Sequence, residues 1–205
     1  PPHTRPHPEV PVTHQFSDQA PELYDRPLLP PDTEAPRRAA RLRDLGLGQA
    51  RETEFDAFAR ELAAEAQRLT GLPAAPVAFV NLIGEDQFVA GAFTPPAAAE
   101  LVEGVLDTRI PLNAGYCPHV VVRRKALILD DVLDYPRFAG NPIVDKLMVR
   151  SYAGAPLIDR TGTVLGTVCV VDSEPRPWGK AGLDLMKGKA ADLAARINLR
   201  EGLPG

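Results

Sequence analysis

Two stretches of the chain change abruptly from helical to two-residue spacing, and each reverses direction over a tight turn. The first reads PVAFVNLI over 76–83, turn-like Gly84–Gln87, then a second strand over Phe88–Phe93. It alternates Val77, Phe79, Asn81 and Ile83 against Ala78, Val80 and Leu82. The second runs from Ser151 to Ile158 and from Val164 to Val171 around Asp159-Arg160-Thr161-Gly162. Hairpins of this kind impose antiparallel pairing. Helical segments flank them. A short basic helix is expected over 36–46, ending at Gly46 or Gly48. A longer one over 52–70 carries Phe55, Phe58, Leu62, Ala66 and Leu69 on one face, with Thr53 and Asp56 as a capping box and Gly71 as its stop. The last, over 179–200, aligns Leu183, Met186, Ala190, Leu193 and Ile197.

Between the hairpins lie a Pro/Ala-rich connection (94–106), a strand over 107–112, and a short helix over 113–122 with Asn113 as candidate cap. A strand over 126–130 and a loop to about 149 follow. No internal repeat is visible. The order predicts an α+β fold, one central antiparallel sheet covered by helices.

Ten of the 22 prolines fall within residues 1–36, an arm without helical or strand period. It is either a free tail or a segment laid on the domain by Val10, Phe16, Leu23, Tyr24, Leu28 and Leu29. The remaining 36–200 is read as one domain, with 201–205 as a tail. With 205 residues, 44% of them hydrophobic, the chain can bury a full core. A net charge of −4 argues against nucleic-acid or anionic-membrane partners. No apolar run reaches membrane-spanning length and no secretory signal opens the chain, so a cytoplasmic location is expected. Two cysteines are too few for a disulfide scaffold. Three of the four histidines, His3, His7 and His14, are scattered in the arm, so no metal site is expected.

Four pieces, in order, resemble a GAF domain over about residues 36–200: VAFVNLIGEDQFVAG; IPLNAGYCPHVV, similar to a bacterial subgroup; LILDDVLDYPRFAGNPIV; and RSYAGAPLIDRTGTVLGTVCVVDSEPRPW. YAGAPL with D-x-x-RF-x-x-NP and GT-x-CV-x-D is a specific combination. The resemblance implies a six-stranded antiparallel sheet. Terminal helices would lie on one face, often as a dimer interface, and loops with a short helix would close a pocket on the other. Such domains bind cyclic nucleotides, tetrapyrroles, haem, amino acids or small anions, and some only dimerise, so the fold leaves function open.

Cys117 sits at a helix start, where backbone amides favour a thiolate. His119 is two residues on, about 200° away around a regular helix, so direct pairing is not expected. Cys169 lies in a strand and reads most simply as core. A Cys117–Cys169 disulfide needs Cα atoms within about 7 Å. Burial of either thiol as plain packing stays open. One GAF family reduces free methionine sulfoxide with cysteines ahead of the short helix. This chain has none between 71 and 116, and no nucleophile elbow, P-loop or H-E-x-x-H, so a non-enzymatic protein is expected. The proline within Cys117-Pro118-His119 argues against a bilin, and neither haem nor a cyclic nucleotide finds its pattern.

What is left is a pocket for a small molecule or anion, built from Asn81, Tyr116, Cys117, His119, Phe138, Tyr152 and Thr167, with Phe79 and Cys169 on the sheet floor. Tyr116, Phe138 and Tyr152 also fit core packing. Asp130, Asp131, Asp134, Arg137 and Arg150 read as a local turn, with Arg137 pairing one nearby Asp. The leading expectation is a stand-alone sensor that binds a small molecule and signals to a separate protein. The alternatives are a thiol redox sensor using Cys117, alone or with Cys169, and a dimerisation module without ligand; a homodimer is compatible with all three.

Overall fold

The computed structural model describes residues 31–102, 109–138, 141 and 148–201. The proline-rich arm up to residue 30 and the tail from 202 lie outside the described residues, as do 103–108, the end of the Pro/Ala-rich connection and the first two residues of the expected third strand.

Five α-helices and six strands occupy the described residues. They are α1 (Ala35–Asp44), α2 (Thr53–Thr70), β1 (Val77–Ile83), β2 (Gln87–Phe93), α3 (Ala99–Val102), β3 (Arg109–Ile110), α4 (Cys117–Arg123), β4 (Leu127–Leu129), β5 (Ser151–Ile158), β6 (Val164–Asp172) and α5 (Gly179–Arg200). The sheet order is β3-β2-β1-β6-β5-β4, antiparallel throughout. β1 and β6 lie side by side at its centre, so the two hairpins join through their inner strands.

Alternation sorts the strand residues onto two faces. Ala78, Val80, Leu82, Ala153, Ala155, Val168 and Val170 meet Phe55, Phe58 and Leu62 of α2 and Met186, Leu193 and Ile197 of α5. Phe79, Ile83, Tyr152 and Cys169 face the other way, beneath Cys117, Val120 and Val121 of α4. The sheet is therefore covered on both sides, and β1 is buried along its whole length.

The basic character of α1 serves docking. Arg41 Nε donates to Asp159 at 2.5 Å, Arg37 bonds the Thr161 carbonyl, and buried Arg38 donates to the Ile83 carbonyl and pairs with Asp32. These contacts tie α1 to the turns of both hairpins. Asp159 also accepts from the Thr161 and Thr163 amides, closing the second turn.

Two expected helix caps are replaced by other contacts. The Thr53–Asp56 box does not form: the N-cap is Glu52, without a side-chain cap bond. Asp56 Oδ1 instead accepts the Ala92 amide at 2.8 Å. A bulge beside Val80 leaves Ala90 outside the β1–β2 register, and its carbonyl accepts the Glu52 amide at 2.8 Å. The start of α2 and strand β2 are thus stitched by one bond in each direction. Asn113 likewise caps nothing; α4 begins four residues later, after Tyr116. Gly71 does end α2, at φ +67°.

The stitching of α2 to β2 requires close approach. A Cβ on Gly91 would fall 2.4 Å from the Phe55 backbone carbon. Gly91→Ala is therefore expected to lower unfolding stability by roughly 1–3 kcal/mol, the usual cost of overpacking. Urea denaturation compared with the parent chain measures it; an unchanged midpoint would show that α2 moves away freely.

Candidate functional site

The chemistry-bearing residues gather on the sheet face beneath α4. Asn81 on β1 and Thr167 on β6 are register partners, and Phe79 stands opposite Cys169 two residues along. Tyr152 reaches the same face from β5.

Side chains distant in sequence set the entry to α4. Gln87 Nε2 donates to the carbonyls of Pro111 and Ala114, each at 2.6 Å, while its Oε1 accepts from Asn81 Nδ2 at 2.9 Å. Asn141 grips Gly115 twice: Oδ1 accepts the Gly115 amide at 2.9 Å and Nδ2 donates to its carbonyl at 2.7 Å. Gly115 has φ +79°, a left-handed turn that glycine adopts without a Cβ penalty. Pro118 falls in the first helical turn, where its missing N–H costs nothing.

This places Cys117 Sγ 3.5 Å from Cys169 Sγ and 3.5 Å from the Tyr152 hydroxyl. Both cysteines are free and buried. Gly154 makes the Tyr152 contact possible, since a Cβ there would lie 2.2 Å from the phenol oxygen. Tyr116 closes the group, its ring centroid 5.0 Å from that of Tyr152 and 5.3 Å from that of Phe138.

Asn81, Tyr116, Cys117 and Tyr152 line one chamber of about 30 Å³, together with Gln87 and Val149. Thr167 is buried beside Asn81 in the adjoining strand and does not line the chamber. Phe138 and His119 do not line it. Phe138 backs Tyr116, and His119 packs edge-on against Phe138 at 5.3 Å. Within the described residues, Asn81 Oδ1, Tyr116 Oη, Thr167 Oγ1 and His119 Nδ1 are buried without a hydrogen-bond partner. A wider groove of about 600 Å³ opens on the opposite side, between β5 and α5, and touches none of these residues.

The environment separates the two thiols. The hydrogen bond from Cys169 holds Cys117 below the usual thiol range, at about 6, against the opposing effect of burial. Thr167, Asn81 and Tyr152 add smaller contributions in the same direction. Burial pushes Cys169 well up, so it keeps its proton and donates it toward Cys117. Burial also raises both Tyr116 and Tyr152. His119 is pushed down to about 4, first by burial and then by Arg123 and Arg137. It is therefore neutral near pH 7.

Gln87, Asn141 and Gly154 escape a local reading, although each has a local signal: a glutamine opening a strand, the Asn of an NP pair, and a glycine inside a buried strand. The acidic–basic segment also resolves differently from expectation. Asp131 pairs with Arg150 at 2.5 Å and accepts the Leu133 amide, whereas Arg137 lies over the Phe138 ring at 4.5 Å. Arg150 arrives beside Asp131 because β5 begins next to the end of β4, a long-range effect.

The GAF domain profile matches residues 54–197. A cyclic di-GMP phosphodiesterase of Pseudomonas aeruginosa is 34% identical over 96 residues, which are 45% of this chain and 16% of that protein's length. Among solved structures, the GAF domain of an Acinetobacter phosphoenolpyruvate-protein phosphotransferase superposes with a TM-score of 0.52 at 16% identity, covering 80% of this chain and 92% of that one. The free methionine-R-sulfoxide reductase of Neisseria meningitidis gives 0.53 at 18% identity, covering 82% and 87%. These likenesses establish the fold and correct one expectation. A non-enzymatic protein no longer follows, because the same fold is that of a reductase and the curated relative is a phosphodiesterase. No helix among the described residues is long and apolar enough to cross a membrane.

The displaced titration of His119 has a thermodynamic consequence. Below pH 6.5 the unfolded chain takes up a proton at His119 that the folded chain refuses until about pH 4. Its contribution to stability is thus complete above pH 6.5 and lost as pH falls toward 4. Urea unfolding across that window should show the decline, and His119→Gln should flatten it. Identical slopes in the two proteins would mean that the folded chain protonates His119 freely.

Proposed function

We propose that this chain, which belongs to the GAF domain family, is a sensory domain whose response is carried by the thiol pair Cys117 and Cys169. The supporting observation is the 3.5 Å separation of the two sulfurs, one on the covering helix and one on the central strand. A disulfide requires them to close by about 1.5 Å. The two groups are also unequal in the useful sense: one sulfur is disposed to be a thiolate nucleophile and the other retains a proton. Bond formation would draw the start of α4 onto β6. The pull would be felt by Tyr116 and by the loop that Gln87 and Asn141 hold, giving a redox change at the sulfurs a mechanical outlet at the surface.

A second reading rests on Asn81 and Tyr116, which border the chamber and each carry an unpartnered oxygen, and which favour a small hydrogen-bonding molecule there. At about 30 Å³ the described chamber suits something near the size of water, and a nucleotide or tetrapyrrole would require the covering segment to lift.

Mass spectrometry of the alkylated, unreduced chain tests the thiol reading. After mild oxidation the parent chain should lose both alkylatable thiols and the mass of two hydrogens. Cys117→Ser and Cys169→Ser should each retain one thiol and form no internal bond. Survival of both thiols in the parent, under conditions that oxidise the urea-unfolded chain, would remove this reading.

A further inference from the structure

We propose that the groove between β5 and α5 is the docking site for residues 22–29 of the same chain, Glu-Leu-Tyr-Asp-Arg-Pro-Leu-Leu. The groove combines an apolar lining with cations. Ala155 and Ile158 of β5 face Leu183 and Ala191 of α5 across it, and Ile158 is exposed. Arg124, Lys125 and Lys187 border it, and no acidic residue among the described ones does. Asp184, three positions before Lys187, is paired with Lys180 at 2.6 Å, so Lys187 remains available. Such a surface suits an occupant that carries apolar bulk and negative charge together.

The point where the arm joins the domain selects the occupant. Arg124 Nη1 donates to both carboxylate oxygens of Glu34, at 2.9 and 2.8 Å. Its Nη2 donates to the Gly162 carbonyl at 2.9 Å, and its backbone holds φ +54°, a conformation uncommon outside glycine. Asp32, two residues before Glu34, pairs with buried Arg38. The chain leading back from Glu34 therefore sets out beside a residue that borders the groove.

Length and composition fit. Leu29 lies five positions before Glu34, an extended reach of up to about 17 Å, and Leu23 eleven positions before it, up to about 37 Å. The α5 residues that border the groove run from Leu183 to Ala191, a rise of about 12 Å, so its whole length is within reach. Leu23, Tyr24, Leu28 and Leu29 supply the apolar bulk. Glu22 and Asp25 outnumber Arg26 and answer Lys125 and Lys187. Pro27, Pro30 and Pro31 restrict the segment beforehand, which lowers the entropy lost on docking. Attachment at Glu34 makes the encounter intramolecular, with an advantage that a free peptide of the same sequence lacks.

Carbodiimide cross-linking of the full chain tests the contact, on an equal mixture of unlabelled and heavy-nitrogen protein. Amide links from Glu22 or Asp25 to Lys125 or Lys187 should form within single-label peptides and vanish in urea. Chymotrypsin gives a second readout, since cleavage after Tyr24 follows the undocked fraction of the chain. Ala191→Arg, which adds bulk and charge to the exposed side of the groove, should speed that cut by about tenfold and abolish the links. The double substitution Leu28→Ser, Leu29→Ser changes only the occupant and should speed it likewise; it decides the matter if circular dichroism shows Ala191→Arg unfolded. Links that join light to heavy peptides overturn the proposal in favour of an arm from a second copy. No links to these two lysines, with parent and variants cut at equal rates, also overturns it and leaves the groove to an acidic segment of another protein.

Discussion

Burial of the central sheet on both faces is the condition on which the other features depend. With α2 and α5 on one side and α4 on the other, β1 and β6 have no solvent-facing surface at their midpoints. A polar side chain placed there must find a partner inside the protein or remain unsatisfied. The first face meets this demand by being almost wholly apolar. The second carries Asn81, Gln87 and Thr167 together with two thiols and two phenols. Asn81 spends its nitrogen on Gln87, and Gln87 spends its own on the loop ahead of α4. The sulfurs and Tyr152 find one another. The site is what remains after the buried polar groups have been paired as far as the geometry allows.

Local sequence signals recovered much of the fold because hairpins and amphipathic helices announce themselves within a few residues. The second hairpin and the final helix, Gly179–Arg200, follow directly from alternation and from three- and four-residue steps. The failures have a common physical cause. Asp56 looks like half of a capping box, yet an amide 36 positions away claims it. Asn113 looks like a cap, but the helix cannot start until Gly115 has turned the chain. In the candidate site, Asn81, Tyr116, Cys117 and Tyr152 were legible as unusual residues on apolar elements. Gln87, Asn141 and Gly154 act across 24 to 27 residues of chain or by lacking a side chain, and neither property has a local periodicity. His119 was drawn toward the site by its proximity to Cys117 in sequence, and helix geometry turned it against Phe138.

The unequal thiols illustrate how a protein interior differentiates chemically identical groups. Cys169, in the middle of a buried strand, experiences desolvation above all. Cys117, equally buried, is surrounded by donors, the foremost being Cys169 itself. One sulfur's loss of hydration therefore becomes the other's source of stabilisation. The fold is shared with a reductase, so the architecture alone assigns no activity to this chain.

At its β4 edge the sheet exposes a ladder only three residues long, Leu127–Leu129, with Arg124 and Lys125 ahead of it and Asp130 behind. An incoming strand would find too few backbone partners there to offset its ordering, and charged side chains on either side. That edge is a poor template for intermolecular β-pairing, so the chain can carry two long, strongly β-forming hairpins in a crowded solution without that margin recruiting them into fibrils.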